Sequence, residues 1–266
     1  MSSQFSARQP AVFFGHGSPM NAIETTRSSA AWASFGSRHF AGANPPAAIL
    51  CISAHWYGPG TAVTAAARPQ TIHDFGGFPQ TLFDVQYPAP GDPALAREIA
   101  DLLAPLDVEL DAEWGLDHGA WSVLVHAAPA ADIAVLQLRV DSSKPPAFHY
   151  QLGQKLAALR DRNIAIMGSG DTVHNLRIMD WRNADKAFDW ALRFDEKFLE
   201  CLRGGHYTPL INYINLDPEA LLAVPTPEHY LPLLYVLGAH HADDELLIVN
   251  EGIDHGSISM LSFAFV

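Results

Sequence analysis

Histidine is the residue type in this chain best placed to do chemistry. There are 13 of them among 266 residues, against 16 lysines and arginines together, so position has to select the few that matter. His16 follows the apolar run Ala11-Val-Phe-Phe-Gly15, His55 closes Ala48-Ile-Leu-Cys-Ile-Ser-Ala-His55, and His174 lies a few residues beyond Ile164-Ala-Ile-Met167. Each run reads as a buried strand, and strand exits are where open α/β sheets place their ligands. Neutral imidazole is the commonest side-chain ligand for a catalytic transition metal, and a catalytic site typically combines three protein ligands with a position left for substrate. Two further histidines qualify by other routes. His229 falls near the start of an apolar helical stretch, and His118 lies between Asp117 and Gly119 just before another. The competing interpretation of each is a hydrogen-bonded loop residue, because no compact pattern such as H-E-x-x-H is present. His39, His126, His149, His206, His240, His241 and His255 lack the strand-exit setting and are read as ordinary. His73 falls in a loop that could touch substrate.

The elements that must position these groups alternate in type. Strands are expected over Ala11–Gly15, Ala47–Ala54, Thr61–Ala66, Ala131–Val140, the run ending at Met167, Leu246–Val249 and Ile258–Val266. Helices are expected over Asn21–Phe40, Ala94–Leu103, Ala120–Ala127, Phe148–Leu159, Trp190–Leu202 and from Thr226, as cap with Pro227 at the first position, to Leu237. Ser18-Pro19 reads as a helix cap followed by proline at the first helical position. Near-continuous apolar strands suit a sheet buried on both faces. The expectation is therefore an α/β fold: one domain spanning 1–266, with a central mostly parallel or mixed sheet flanked by helices and a metal site at the strand ends. Residues 1–10 are expected to be flexible. Residues 68–92, rich in glycine, proline and aromatics, form a candidate lid loop.

Composition excludes several classes. A formal net charge of -13 argues against a nucleic-acid surface or an anionic membrane partner. No apolar stretch is long and clean enough to span a bilayer, and the polar N-terminus lacks a signal-peptide core, so a cytoplasmic location is the default. Cys51 lies within an apolar run and reads as a small buried hydrophobe; with Cys201 as the other cysteine, neither a disulfide scaffold nor a thiolate zinc site is expected. Gly168-Ser-Gly170 is too short for a dinucleotide fingerprint. Gly15-His-Gly-Ser18-Pro19 is no nucleophile elbow, because proline follows the serine.

Several segments, in order, resemble a known family. Phe14-Gly-His-Gly-Ser-Pro-Met-Asn-Ala-Ile-Glu24, Ile52-Ser-Ala-His-Trp56, Thr71-Ile-His-Asp-Phe-Gly-Gly-Phe-Pro79, Glu113-Trp-Gly-Leu-Asp-His-Gly-Ala-Trp121, Val173-His-Asn-Leu-Arg177 and Val224-Pro-Thr-Pro-Glu-His-Tyr-Leu-Pro232 are similar to the bacterial 4,5-DOPA extradiol dioxygenases. These belong to the class III, protocatechuate 4,5-dioxygenase-like, ring-cleavage enzymes. The resemblance runs from about residue 11 to the C-terminus. It implies one non-haem metal ion per chain, with His16, His55 and His229 as ligands. It implies His174 either as a fourth ligand or as the acid/base beside the metal, and His118 as a catalytic and substrate-orienting residue. His73 joins His118 as a candidate substrate contact. The wider class uses two histidines and a glutamate, whereas His229, with Glu228 beside it, stands at the corresponding position here. Fe(II) is expected for activity, and Zn(II) is plausible as the bound ion. The implied partners are a small catechol and O2, whose two atoms both enter the product, a ring-opened semialdehyde of the 4,5-seco-DOPA type. A homo-oligomer is compatible with the sequence. The alternatives are a zinc-dependent hydrolase using the same histidines and a non-catalytic zinc-binding protein for small molecules.

Overall fold

The computed structural model describes residues 8–266. Residues 1–7, the greater part of the segment expected to be flexible, lie outside the described residues. The last three residues of that segment are bonded: Arg8 pairs with Asp161, Asp243 and Asp244, the Gln9 amide donates to Asn163 Oδ1 and Asn44 O, and Pro10 O accepts the Ile166 N–H.

In chain order the elements that matter here are β1 (Ala11–Gly15), α1 (Arg27–His39), β2 (Ala48–Ser53), α2 (Pro93–Leu102), α3 (His118–Ala127), β3 (Ala134–Gln137), α4 (Pro146–Arg160), β4 (Ile164–Gly170), α5 (Asp189–Arg203), α6 (Leu231–Gly238), β5 (Leu246–Asn250) and β6 (Ser262–Phe265). They build a six-stranded sheet in the order β3-β2-β4-β1-β6-β5. The first four strands are parallel, β6 runs antiparallel to β1, and β5 runs antiparallel to β6. The sheet is therefore mixed, and β1, β2 and β4 all point their C-terminal ends the same way.

The two-residue period of the strands divides the core. Phe13, Leu50, Ile52 and Ile166 face a layer that includes Leu95 and Ile99 of α2, Leu152 and Leu156 of α4, Phe198 of α5 and Leu233 of α6. Val12, Phe14, Cys51 and Met167 face α1 and α3, through Trp32, Phe35, Trp121 and Leu124. Both faces of the central strands are covered, which is why their sequences carry no polar alternation. Among the described residues no helix is long and apolar enough to cross a membrane.

Several boundaries depart from expectation. The helix expected over Asn21–Phe40 is a short 3-10 turn, Pro19–Ala22, followed by α1. Thr26 and Ser29 interrupt it by forming a reciprocal capping box, each side chain bonding the other's backbone N–H. The strand expected over Ile258–Val266 is broken between Ser259 and Ser262. There the Ser259 side chain accepts the Leu261 N–H and the Ser262 side chain donates to Met260 O. Helix α6 begins at Leu231, not at Thr226. The Thr226 hydroxyl donates to Glu228 Oε1 instead of capping a backbone group, so His229 sits in a turn before the helix.

Candidate metal centre

Each histidine reaches the site from a different element. His16 follows β1 directly, and its N–H donates to Gly170 O at the end of β4. His55 stands two residues past β2. His118 is the first residue of α3, whose cap Asp117 accepts the Ala120 N–H. The same Asp117 receives the Ser53 hydroxyl and the Gln137 amide, so one buried network fixes the helix start against the ends of β2 and β3. His229 is held by its own backbone: its carbonyl accepts the Asp171 N–H at 2.9 Å. A side chain at Gly170 would come within 2.1 Å of that carbonyl, so only glycine permits this approach.

The resulting cluster is tight. Ring centroids of His16 and His55 are 5.1 Å apart, those of His16 and His229 5.3 Å, and those of His55 and His229 5.1 Å. His118 lies 3.8 Å from His55, and His174 stacks on His229 at 3.5 Å. All five line one cleft of about 1060 Å³, together with Phe75, Phe78, Met179, Trp181 and Met260.

The hydrogen-bond partners fix the tautomers. Ser169 Oγ donates to Gly119 O at 2.5 Å, which leaves its lone pairs for His16 Nδ1–H at 3.0 Å. His16 Nε2 therefore carries a lone pair. His55 Nδ1 lies 3.2 Å from Asp74 Oδ2 and His118 Nδ1 lies 2.9 Å from Asp74 Oδ1; with the ring proton of each on the nitrogen that faces this carboxylate, Nε2 is left with its lone pair. His16 Nε2 and His55 Nε2 approach to 3.2 Å. Two lone pairs facing each other at that distance repel unless a cation lies between them. Two nitrogens bonded to one ion at about 2.0–2.1 Å have a comparable separation. The donor set thus fits a metal ion.

Electrostatics agree. Two imidazolium rings about 5 Å apart would repel by roughly 3 kcal/mol at an effective dielectric constant near 20. Burial first, then the neighbouring His55 and His229, hold His16 well below the ordinary histidine range. His229 is lowered in the same way by burial and by His174. Burial takes His174 down to about 4, partly opposed by Glu228, and lowers His118 against the pull of Asp74. Burial pushes Asp74 up, but its contacts with His118 and His55 outweigh that and hold it well below the usual carboxylate range. Near neutral pH these four histidines are neutral bases beside an ionised Asp74.

The convergence expected of His16, His55, His229, His174 and His118 is thus present, with an uneven grouping. Ligand atoms fall within 4.8 Å of one another in the sets His16–His55–His118, His16–Asp171–His229 and His174–Glu228–His229. His73 is not brought to the cleft. Its Nε2 faces Val85 O at 3.0 Å and its ring packs against Trp121 and Phe83; Phe75 and Phe78 of the same loop line the cleft instead. His255, read as ordinary, lies at the rim beside Trp181. Asp74, Ser169 and Asp171 were not singled out by sequence. An acidic residue beside a histidine, and one just past a strand, were the available signals, but nothing in the spacing says that Asp74 folds back to meet the His118 N–H.

The loop over residues 68–92 forms a wall of this cleft. Gln70 and Ile72 exchange backbone hydrogen bonds with Leu116, the Trp121 indole N–H donates to Ile72 O, and the Tyr87 hydroxyl donates to Ala128 O.

Comparison with known proteins agrees with this geometry. Residues 10–265 match the family described as the catalytic LigB subunit of aromatic ring-opening dioxygenase. The chain is 51% identical to the 4,5-DOPA dioxygenase extradiol of Escherichia coli (strain K12), over 97% of this chain and 94% of that protein. It is 38% identical to the protein of the same name from Beta vulgaris, over 95% of each. The crystal structure of an uncharacterized protein from Escherichia coli K12 superposes with a TM-score of 0.84 at 44% identity, covering 97% of this chain and all of that one. Among the readings open to a histidine cluster, membership selects ring opening over hydrolysis or passive binding. The chain belongs to the family of catalytic LigB subunits of aromatic ring-opening dioxygenases, and is an extradiol ring-cleaving enzyme acting with a non-haem metal on a small aromatic substrate and O2.

Proposed function

We propose that this enzyme opens the ring of L-DOPA or a closely similar catechol at the 4,5 position, giving a 4,5-seco-DOPA type semialdehyde. We propose further that its working ion is Fe(II), held by His16, His55 and His229. The observation that carries the reading is the inward convergence of these three rings, at centroid separations of 5.1 to 5.3 Å, on a cleft large enough for an aromatic substrate. The substrate follows from the names of the relatives from Escherichia coli and Beta vulgaris.

An ion held by His16, His55 and His229 would supply a Lewis acid and a redox centre for the reaction of the catechol with O2. The side chains supply positioning and proton transfer. His174, a neutral base stacked on His229, takes a proton from a catechol hydroxyl. In this reading His174 is the acid/base rather than a fourth ligand. His118, with Nδ1 turned to Asp74, orients the second hydroxyl, accepts its proton at Nε2 and returns that proton as the ring opens. Phe75 and Phe78 pack along the aromatic face of the substrate and keep water from the reacting carbons.

The test is anaerobic reconstitution of the metal-free protein with Fe(II) or with Zn(II), addition of L-DOPA, and admission of air. Zinc has no accessible redox change. Oxygen uptake with a new yellow chromophore in the iron sample alone is the expected result. Turnover with zinc and none with iron would overturn the choice of metal. Uptake with other catechols and none with L-DOPA would overturn the choice of substrate.

A further inference from the structure

Asp171 is a buried carboxylate that the mechanism above does not use. It follows β4 directly, is 1% exposed, and its Oδ2 has no hydrogen-bond partner among the described residues. An isolated buried carboxylate is costly unless a cation or a donor answers it. The side chain is nevertheless held firmly. Its backbone N–H donates to His229 O at 2.9 Å, and its Oδ1 accepts the Gly17 N–H at 3.1 Å. The residue is therefore clamped between the two loops that carry His229 and His16. The clamp aims the free Oδ2 inward, to 3.9 Å from His16 Nε2. His16, Asp171 and His229 form the one group of potential metal-ligating side chains, among the described residues, whose members are all buried.

We propose that Asp171 binds the metal ion directly through Oδ2, adding one carboxylate to the imidazoles of His16, His55 and His229; this rests on the reading of the cleft as a metal centre. A carboxylate oxygen beside imidazole nitrogens is a donor combination that non-haem Fe(II) accepts. Glu228 is placed differently: its Oε1 receives the Thr226 hydroxyl and lies 3.4 Å from Nδ1 of His229, and it groups with His174 rather than with His16. The carboxylate also matters for charge. Three neutral imidazoles leave both positive charges of a divalent ion uncompensated in a buried site, whereas Asp171 cancels one of them.

The test compares the full-length wild-type chain with Asp171→Asn. Asparagine keeps an oxygen for the Gly17 N–H and removes the charge, so the metal-free variant should melt no lower than the metal-free wild type. Both are stripped of metal and titrated with Zn2+ against a chromophoric chelator, then with Co2+ while the visible absorption bands are recorded. The expected result is one ion per wild-type chain, an affinity about 100-fold lower in the variant, and shifted Co2+ bands from the changed ligand set. Asp171→Ser, which cannot reach the ion, should show the same losses if the asparagine variant fails to fold. Equal affinity in variant and wild type would overturn the proposal. So would a lower affinity with unchanged Co2+ bands, because that describes a charge acting from a distance. A wild-type chain that takes up no ion would sink the metal-centre reading itself, and this inference with it.

Discussion

The rings of His174 and His229 lie parallel, 8° from coplanar orientation, with centroids 3.5 Å apart. A stacked neighbour fixes His229 by contact and keeps its own nitrogens at the cleft surface. The two roles of His174, packing and proton transfer, can therefore be separated by substitution. His174→Phe retains the stack and removes the base. We expect the metal content of the purified protein to stay near that of the wild type while kcat for ring opening falls by about 10²–10⁴-fold. Metal analysis alongside an oxygen-electrode trace measures both. Loss of the ion in step with activity would instead make His174 a ligand.

Asp74 holds two of the histidines at once. Its two carboxylate oxygens face His55 Nδ1 and His118 Nδ1, and Oδ1 also accepts the His118 backbone N–H at 2.9 Å. The carboxylate thereby sets both tautomers and strengthens the basicity of the inner nitrogens. Asp74→Asn keeps the size but presents a neutral amide. Its metal affinity should drop by about 10–100-fold, and the pH at which His118 takes up a proton should fall, because a raising influence has been removed. Chelator competition measures the first effect, and the imidazole resonances of the metal-free protein followed by NMR measure the second. An unchanged affinity would show that His55 and His118 hold their orientation without Asp74.

These two sites also mark what could be read from the chain alone. The apolar runs before His16, His55 and His174 contain few polar residues, because helices cover both sides of β1, β2 and β4. Strand exits were therefore legible, and with them three histidines of the cluster. The four-turn helix α4 and the Asp92-capped α2 were legible for the same reason: a cap or a proline marks the start and the periodicity marks the rest. What failed was local bonding by side chains that compete with the backbone. Thr226 and Ser29 look like helix residues by type, yet the hydroxyl of the first goes to a carboxylate, and the second ends a turn before starting a helix. His73 and Asp74 are adjacent, and the sequence favoured the histidine. Their side chains part, the ring of His73 against Trp121 and the carboxylate of Asp74 against His55 and His118. The closure of the loop over residues 68–92 against α3 rests on pairings tens of residues apart, such as Trp121 to Ile72, which no window of sequence displays.

Stability should depend on pH through Asp195 of α5. This carboxyl is buried, and its Oδ1 accepts hydroxyl hydrogen bonds from Thr172 at 2.6 Å and Ser259 at 2.8 Å. Burial pushes it up to about 6, and the two hydroxyls only partly oppose that rise. The folded state therefore holds the proton more tightly than the unfolded chain, whose ordinary value is 3.8. The contribution to stability is fully present below that value and is lost as pH rises through about 6. A rise of this size corresponds to roughly 3 kcal/mol between the acidic and the neutral limits. Asp195→Asn keeps an oxygen for both hydroxyls and has no proton to lose. It should melt about 5 °C or more above the wild type at pH 8, with the gap closing as the pH is lowered to 4. Thermal melts of the two metal-free proteins across that range provide the measurement. A constant gap would mean that Asp195 keeps the same charge in the folded and unfolded chains, and that the hydroxyl pair stabilises the carboxylate more than burial opposes it.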